Sequence, residues 1–332
     1  MKAPAFWWHR PGIAAALLSP IATIYGGIAA RRLAQPGARV GIPVICVGNP
    51  TVGGAGKTPA AIAVARLLLG AGETPMFLSR GYGGRLAGPT RVEPTHHAAD
   101  VGDEPLLLAR VAPTVVARDR VTGARLAKES GASVVVMDDG FQNPSLAKDF
   151  SLLVIDAARG LGNGKVLPAG PLRAPLSPQL ARASVILLIG VAAEIPSWLG
   201  APGLPVFRGL LEPDAASLAS LKDRRVLAFA GIGDSEKFFL TLDHAGIETR
   251  VRRSFGDHHR YDAADAARLV AEAERLDLQL VTTEKDLARL RADLAVAQLA
   301  ERARALPVTL QITEADELRR LLLATCRETK AA

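Results

Sequence analysis

Three groups of residues in this chain have the types and spacing for chemistry on a phosphate. Residues 51–58 read Thr-Val-Gly-Gly-Ala-Gly-Lys-Thr. Gly53, Gly54 and Gly56 let backbone N–H groups converge on an anion, and Lys57 can reach β- and γ-phosphate oxygens. Thr58 can offer its hydroxyl to Mg²⁺. Thr51, Val52 and Ala55 complete the eight-residue loop, with Thr51 standing where the usual pattern begins with glycine. The second group is Asp138-Asp139, at the end of the apolar run Val134-Val-Val-Met137. A strand-end aspartate beside a phosphate loop holds Mg²⁺ directly or through water, and a second adjacent negative charge needs a cation nearby. The bland alternative is that both cap the next turn. The third group is dispersed: Asp103-Glu104 and His258-His259. By spacing alone, Asp103 reads as a helix N-cap at least as readily as a base, and the histidines are ambiguous. The first two groups point to a nucleotide-binding protein.

A phosphate loop works only between a strand and a helix. Ile42-Pro-Val-Ile-Cys-Val47 supplies the strand, and Pro59 to Leu69 has helical composition with proline in its first turn. Further apolar runs follow at 75–79, 114–117, 133–137, 150–155 and 184–189, separated by helical stretches. Strands alternating with helices, with polar residues at the strand C-termini, predict a parallel sheet covered on both faces. Ligands should gather at those C-terminal ends. A second, smaller alternation starts at Arg225 and runs through strands near 225–230, 249–253, 278–282 and 308–310. The expected fold class is therefore α/β: a P-loop NTPase-type parallel sheet domain and a smaller α/β domain joined by a hinge. The expected boundaries are an N-terminal segment 1–35, the P-loop domain 36–195, a proline-rich hinge 196–222 and a C-terminal domain 223–332. The glycine- and proline-rich segments 159–165 and 167–173 form a long loop, and loops of that length are usually functional.

Composition sets outer limits. At 332 residues with 49% hydrophobic content the chain can build two sizeable cores. A net charge of +7 admits an anionic partner such as a nucleotide or acidic lipid. Basic residues are scattered rather than interleaved with aromatics, so no nucleic acid is expected. The two cysteines, Cys46 and Cys326, form no disulfide framework or zinc spacing, which fits a reducing compartment. Gly12 to Ala30 carries no charge, is preceded by Trp7, Trp8 and Arg10, and is followed by Arg31-Arg32. The tryptophans stand where an interfacial anchor would be, and Pro20 interrupts the segment. Contact with one membrane leaflet, a buried helix, and a true span or signal all remain open readings.

The chain resembles the tetraacyldisaccharide 4'-kinase family, the lipid A 4'-kinases of Gram-negative bacteria. The resemblance rests on an ordered set that runs nearly end to end: Val47 to Pro59, Leu78 to Gly84, Val101 to Pro105, Asp138 to Gln142, Leu167 to Arg173, Phe229 to Gly233, Phe255 to His258 and Thr282 to Asp286. Thr51 matches the family's own loop, whereas Pro50 departs from an expected leucine. The resemblance implies ATP- and Mg²⁺-dependent phosphoryl transfer to the 4'-hydroxyl of a tetraacylated glucosamine disaccharide 1-phosphate. It implies peripheral, monotopic contact with the cytoplasmic face of the inner membrane; no protein partner is identified from the sequence. Carried over residue by residue, Asp103 resembles the general base, His258 its assistant and Lys57 a catalytic cation. Thr58, Asp138, Asp139 and Glu104 look like the Mg²⁺ shell, and Arg80, Arg118 and Arg173 like substrate or phosphate ligands. A membrane-associated regulatory P-loop NTPase is the alternative, but its loop usually carries an early lysine where this chain has Val52. Glu284-Lys285-Asp286 lacks the Asn and spacing that guanine recognition needs.

Overall fold

The computed structural model describes residues 3–191, 203–291 and 293–331. Its larger sheet has nine strands: β1 (Val44–Gly48), β2 (Pro75–Ser79), β3 (Thr90–Arg91), β4 (Thr114–Val116), β5 (Val134–Asp138), β6 (Phe150–Asp156), β7 (Val185–Ile189), β8 (Val206–Pro213) and β13 (Val308–Ile312). The spatial order is β13-β8-β7-β6-β1-β5-β2-β4-β3. All neighbours run parallel except the two edge pairs, β13 with β8 and β3 with β4. A smaller, wholly parallel sheet has the order β10-β9-β11-β12, from β9 (Val226–Ala230), β10 (Thr249–Ser254), β11 (Gln279–Thr283) and β12 (Arg304–Leu306).

Both faces of the large sheet are covered, and β1 shows why its sequence is continuously apolar. Ile45 and Val47 enter one core with Val64, Leu68 and the C-terminal helix residues Leu318 and Leu322. Val44 and Cys46 enter the opposite core with Met76, Val135 and Met137. Alternate side chains thus have no solvent-facing side to serve. Register then builds the site: Val47 pairs with Asp138, which sets the aspartate beside the start of the phosphate loop. β6 lies on β1's other side, so the loop opens where connections diverge to both halves of the sheet.

Two expected boundaries differ from the hydrogen bonding. The stretch 196–222 contains β8, and the C-terminal segment returns β13 to the large sheet. A mixed burial pattern and flanking prolines hid β8, because an edge-proximal strand has no continuous apolar run to display. Residues 196–202 of that stretch lie outside the described residues.

The N-terminal helix Ile13–Ala34 runs through Pro20 without ending. Only Ala15, Ala22, Gly26 and Leu33 are buried, a narrow seam that packs near Pro175, whose Cγ would lie 3.4 Å from a Cβ at Gly26. Ile13, Leu17, Ile21, Ile24 and Ile28 are exposed. The buried-helix reading therefore does not fit. The helix is long and apolar enough to cross a membrane, with 17% of its apolar window buried in the protein. Trp7 and Trp8 turn inward instead: Trp7 Nε1 donates to the Pro168 carbonyl at 3.0 Å, and the Arg159 guanidinium lies over the Trp8 ring.

Candidate active site

The phosphate loop closes on Gly56, whose φ of 86° is left-handed and which caps the helix Lys57–Leu69. A Cβ there would stand 2.8 Å from Ile189 Cδ1, so both backbone and packing demand glycine. Thr51 needs no such freedom, since it is absent from the positive-φ residues. The segment 167–173 buttresses the loop. Val52 N–H donates to the Pro171 carbonyl at 2.9 Å, Arg173 N–H to Pro50 at 2.8 Å, and Arg173 Nε to Thr51 at 3.0 Å. The long loop is thus a scaffold for the phosphate cradle.

The four residues expected around Mg²⁺ divide into two environments. Thr58 Oγ1 stands 3.4 Å from Asp138 Oδ2, and Asp138 Oδ1 is buried without a hydrogen-bond partner. Burial, with the charges of Glu104 and Asp139, pushes the Asp138 carboxyl up to about 7. An orphaned oxygen and crowded carboxylates suit a divalent cation. Asp139 is turned to cations: Arg173 forks onto it at 2.8 and 3.3 Å, and Lys57 Nζ lies 3.7 Å away. Burial opposes its charge, but Lys57 and Arg173 hold its carboxyl below the ordinary value. Glu104 pairs with Lys285 at 2.6 Å. Among the described residues, no group of three or more His, Cys, Asp or Glu encloses a metal.

Across the cleft, Asp103 opens the helix Asp103–Leu108 and is 3% exposed. Gly102 takes the N-cap position, so Asp103 is not the cap. Its Oδ1 accepts the Glu104 N–H at 3.0 Å. Its Oδ2 lies 3.5 Å from His258 Nδ1 and 3.3 Å from Arg289 Nε. Neither contact is an aligned hydrogen bond, as Oδ2 has no partner by geometry. Burial works against the charge, yet His258, Lys285 and Arg289 hold this carboxyl down at about 2. The carboxylate in turn raises the His258 pKa, against the opposing effect of burial. The Tyr82 ring packs against His258 with centroids 4.8 Å apart. His259 belongs elsewhere: it pairs with Asp265 at 2.7 Å and stacks on Phe255.

Lys57, Thr58, Asp103, Glu104, Asp138 and His258 line one cleft of about 1010 Å³ between the two sheets. Arg80 and Arg118, both exposed, line it too. Arg173 is committed to Asp139 and the loop. Sequence reasoning missed Arg120, which is 2% exposed and donates to the Asp139 carbonyl at 3.3 Å. It also missed Lys285 and Arg289, although the segment Thr282–Asp286 stood out as a motif. The cleft can cradle a polyphosphate, neutralise it with a cation and lysine, and offer a buried carboxylate to a hydroxyl.

A tetraacyldisaccharide 4'-kinase of Rhodopseudomonas palustris is 56% identical over 323 residues, covering 96% of this chain and 94% of that protein. One of Methylobacterium sp. is 57% identical over 307 residues, covering 91% and 92%. A crystal structure of LpxK from Aquifex aeolicus in complex with ATP superposes with a TM-score of 0.75 at 27% identity, covering 95% of this chain and 100% of that one. The profile described as tetraacyldisaccharide-1-P 4'-kinase matches residues 14–327, and the chain belongs to that family.

Proposed function

We propose that this chain transfers the γ-phosphoryl group of ATP to the 4'-hydroxyl of a tetraacylated glucosamine disaccharide 1-phosphate, a step of lipid A biosynthesis. The observation that carries this reading is the placement of the Asp103–His258 pair on the same cleft as the phosphate loop and Asp138. Loop N–H groups and Lys57 hold the β- and γ-phosphates, while Thr58 and Asp138 are the residues that would hold Mg²⁺. When bound, the cation would neutralise phosphate charge. Arg80 and Arg118 reach acceptor or phosphate oxygens; Arg173 acts through Asp139 and the loop.

Asp103 receives the proton of the acceptor hydroxyl. A carboxyl held at about 2 is a weak base. Phosphoryl transfer passes through a loose transition state in which the attacking oxygen forms little bond. The hydroxyl then loses its proton late, so orientation by a fixed anion matters more than basicity.

Residues 1–35 form the membrane-contacting segment, the large sheet the nucleotide unit and β9 to β12 the unit that closes over it, connected within 196–222. Tyr25, Ile28, Ala29 and Arg32 of the N-terminal helix also line the cleft, which supports acceptor entry along the bare face of that helix at the cytoplasmic side of the inner membrane. The deciding experiment follows radiolabel from γ-labelled ATP into detergent-dispersed lipid disaccharide, with and without Mg²⁺. ATP binding without label in the 4'-position would refute the proposal.

A further inference from the structure

A buried polar cluster at the C-terminal ends of the small sheet touches the catalytic carboxylate without belonging to the chemistry described so far. Asp286 is 0% exposed and accepts from the Gly231 N–H at 3.0 Å, the Tyr261 hydroxyl at 2.8 Å and the Thr283 hydroxyl at 2.6 Å. Arg289 completes the cluster. Its Nη2 donates to Asp286 Oδ1 at 2.8 Å, and its Nη1 donates to the carbonyls of Gly231 and His259 at 2.9 and 3.2 Å. Its Nε is 3.3 Å from Asp103 Oδ2. One guanidinium, on the helix after β11, thus ties the loops after β9 and β10 to that helix and faces a carboxylate of the large unit. At 9% side-chain exposure, solvent screens that charge poorly.

Two features set this apart from an ordinary ion pair between units. Arg289 holds the carbonyl of His259, the residue next to His258. His258 itself has a left-handed φ of 53°, a conformation that persists only where its surroundings impose it. The same guanidinium therefore holds the residue that follows His258 and faces Asp103. Asp103, for its part, is anchored through Oδ1, while Oδ2 is buried with no aligned donor. Arg289 attracts that oxygen and leaves its lone pair for a hydroxyl.

We infer that Arg289 is a positioning residue for phosphoryl transfer, setting where Asp103 Oδ2 and His258 stand relative to each other and to the acceptor hydroxyl. The inference rests on Asp103 being the proton acceptor. Lysine supplies the charge but cannot reach two carbonyls and two carboxylates from one planar fork.

The test uses the full chain, ATP and detergent-dispersed lipid disaccharide. Transfer is measured at saturating substrates, ATP affinity by calorimetry, and folding by thermal melting. Arg289→Gln should lower the transfer rate about 10- to 100-fold with ATP Kd within about twofold. In an Asp103→Asn background the same substitution should cost less than about threefold, because the group it positions is gone. Should Arg289→Gln not fold, Arg289→Lys carries the test: a lower rate at unchanged ATP affinity, again muted by Asp103→Asn. Losses that multiply in the two backgrounds would overturn the inference and make Arg289 a strut. A wild-type rate in Arg289→Gln would overturn it as well. A wild-type rate in Asp103→Asn alone would instead sink the proton-acceptor reading, and this inference with it.

Discussion

Leu17 and Ile24 on the N-terminal helix are 74% and 68% exposed, on the side away from the buried seam of Ala15, Ala22, Gly26 and Leu33. Complete burial of a Leu or Ile side chain stabilises by about 1.5–3 kcal/mol. Roughly two thirds of that is still available to each residue, so inserting the pair into the acyl region is worth about 2–4 kcal/mol. Replacing both with glutamine, which keeps helix propensity, should lower the vesicle partition coefficient by about 30- to 1000-fold. The assay is flotation with vesicles of phosphatidylethanolamine and phosphatidylglycerol, alongside ATP affinity and melting temperature. Neither of the last two should move, because these side chains touch no core. Unchanged flotation would show that this face does not meet the bilayer. A large fall in melting temperature would show that it is covered by protein instead.

Three further outcomes follow from the cleft. Lys57→Ala should reduce transfer by about 10²-fold or more with the fold intact, since the lysine neutralises charge on the transferring phosphates; near-normal turnover would mean the nucleotide is held elsewhere. Asp138→Asn should abolish Mg²⁺-dependent transfer yet raise the melting temperature of chelator-treated protein at pH 8. The folded carboxyl is pushed up to about 7, so its cost to the fold grows above the unfolded value near 3.8 and is complete above about 7; the two proteins should melt alike near pH 3, and a gap there would contradict the argument. His258, raised by Asp103, contributes pairing stability below its unfolded value that is lost as pH rises through the folded one. Its NMR titration should accordingly move to lower pH in Asp103→Asn, and an unmoved midpoint would mean the two are not coupled.

The phosphate cradle was legible because its geometry is local. Eight consecutive residues carry the glycines, the lysine and the hydroxyl, and flanking apolar and helical runs say what they connect. Asp138 was legible for a related reason, since a buried strand ending in a carboxylate leaves few places for that charge. Neither feature depends on where the rest of the chain goes. Strand β8, next to the edge strand β13, failed the same logic: with much of its length exposed and prolines near its ends, its sequence resembles a loop.

The Asp103–His258 side of the cleft depends instead on contacts between sheets, and spacing carries no information about those. Asp103 by itself reads as a helix cap, and His258 by itself as a surface histidine. They acquire meaning only when the loop after β10 meets the helix that Asp103 opens. Family resemblance could name that pair because it imports a fold, but it could not say what holds the pair in register. That answer lies in Lys285 and Arg289, four residues apart on the helix Glu284–Leu290, facing the adjacent acids Glu104 and Asp103. One helical turn matches cations to neighbouring carboxylates. Docking the small unit therefore offsets the repulsion of two acids that the large unit alone would leave side by side. The charges that assemble the cleft are the same charges that prepare it for a phosphoryl group.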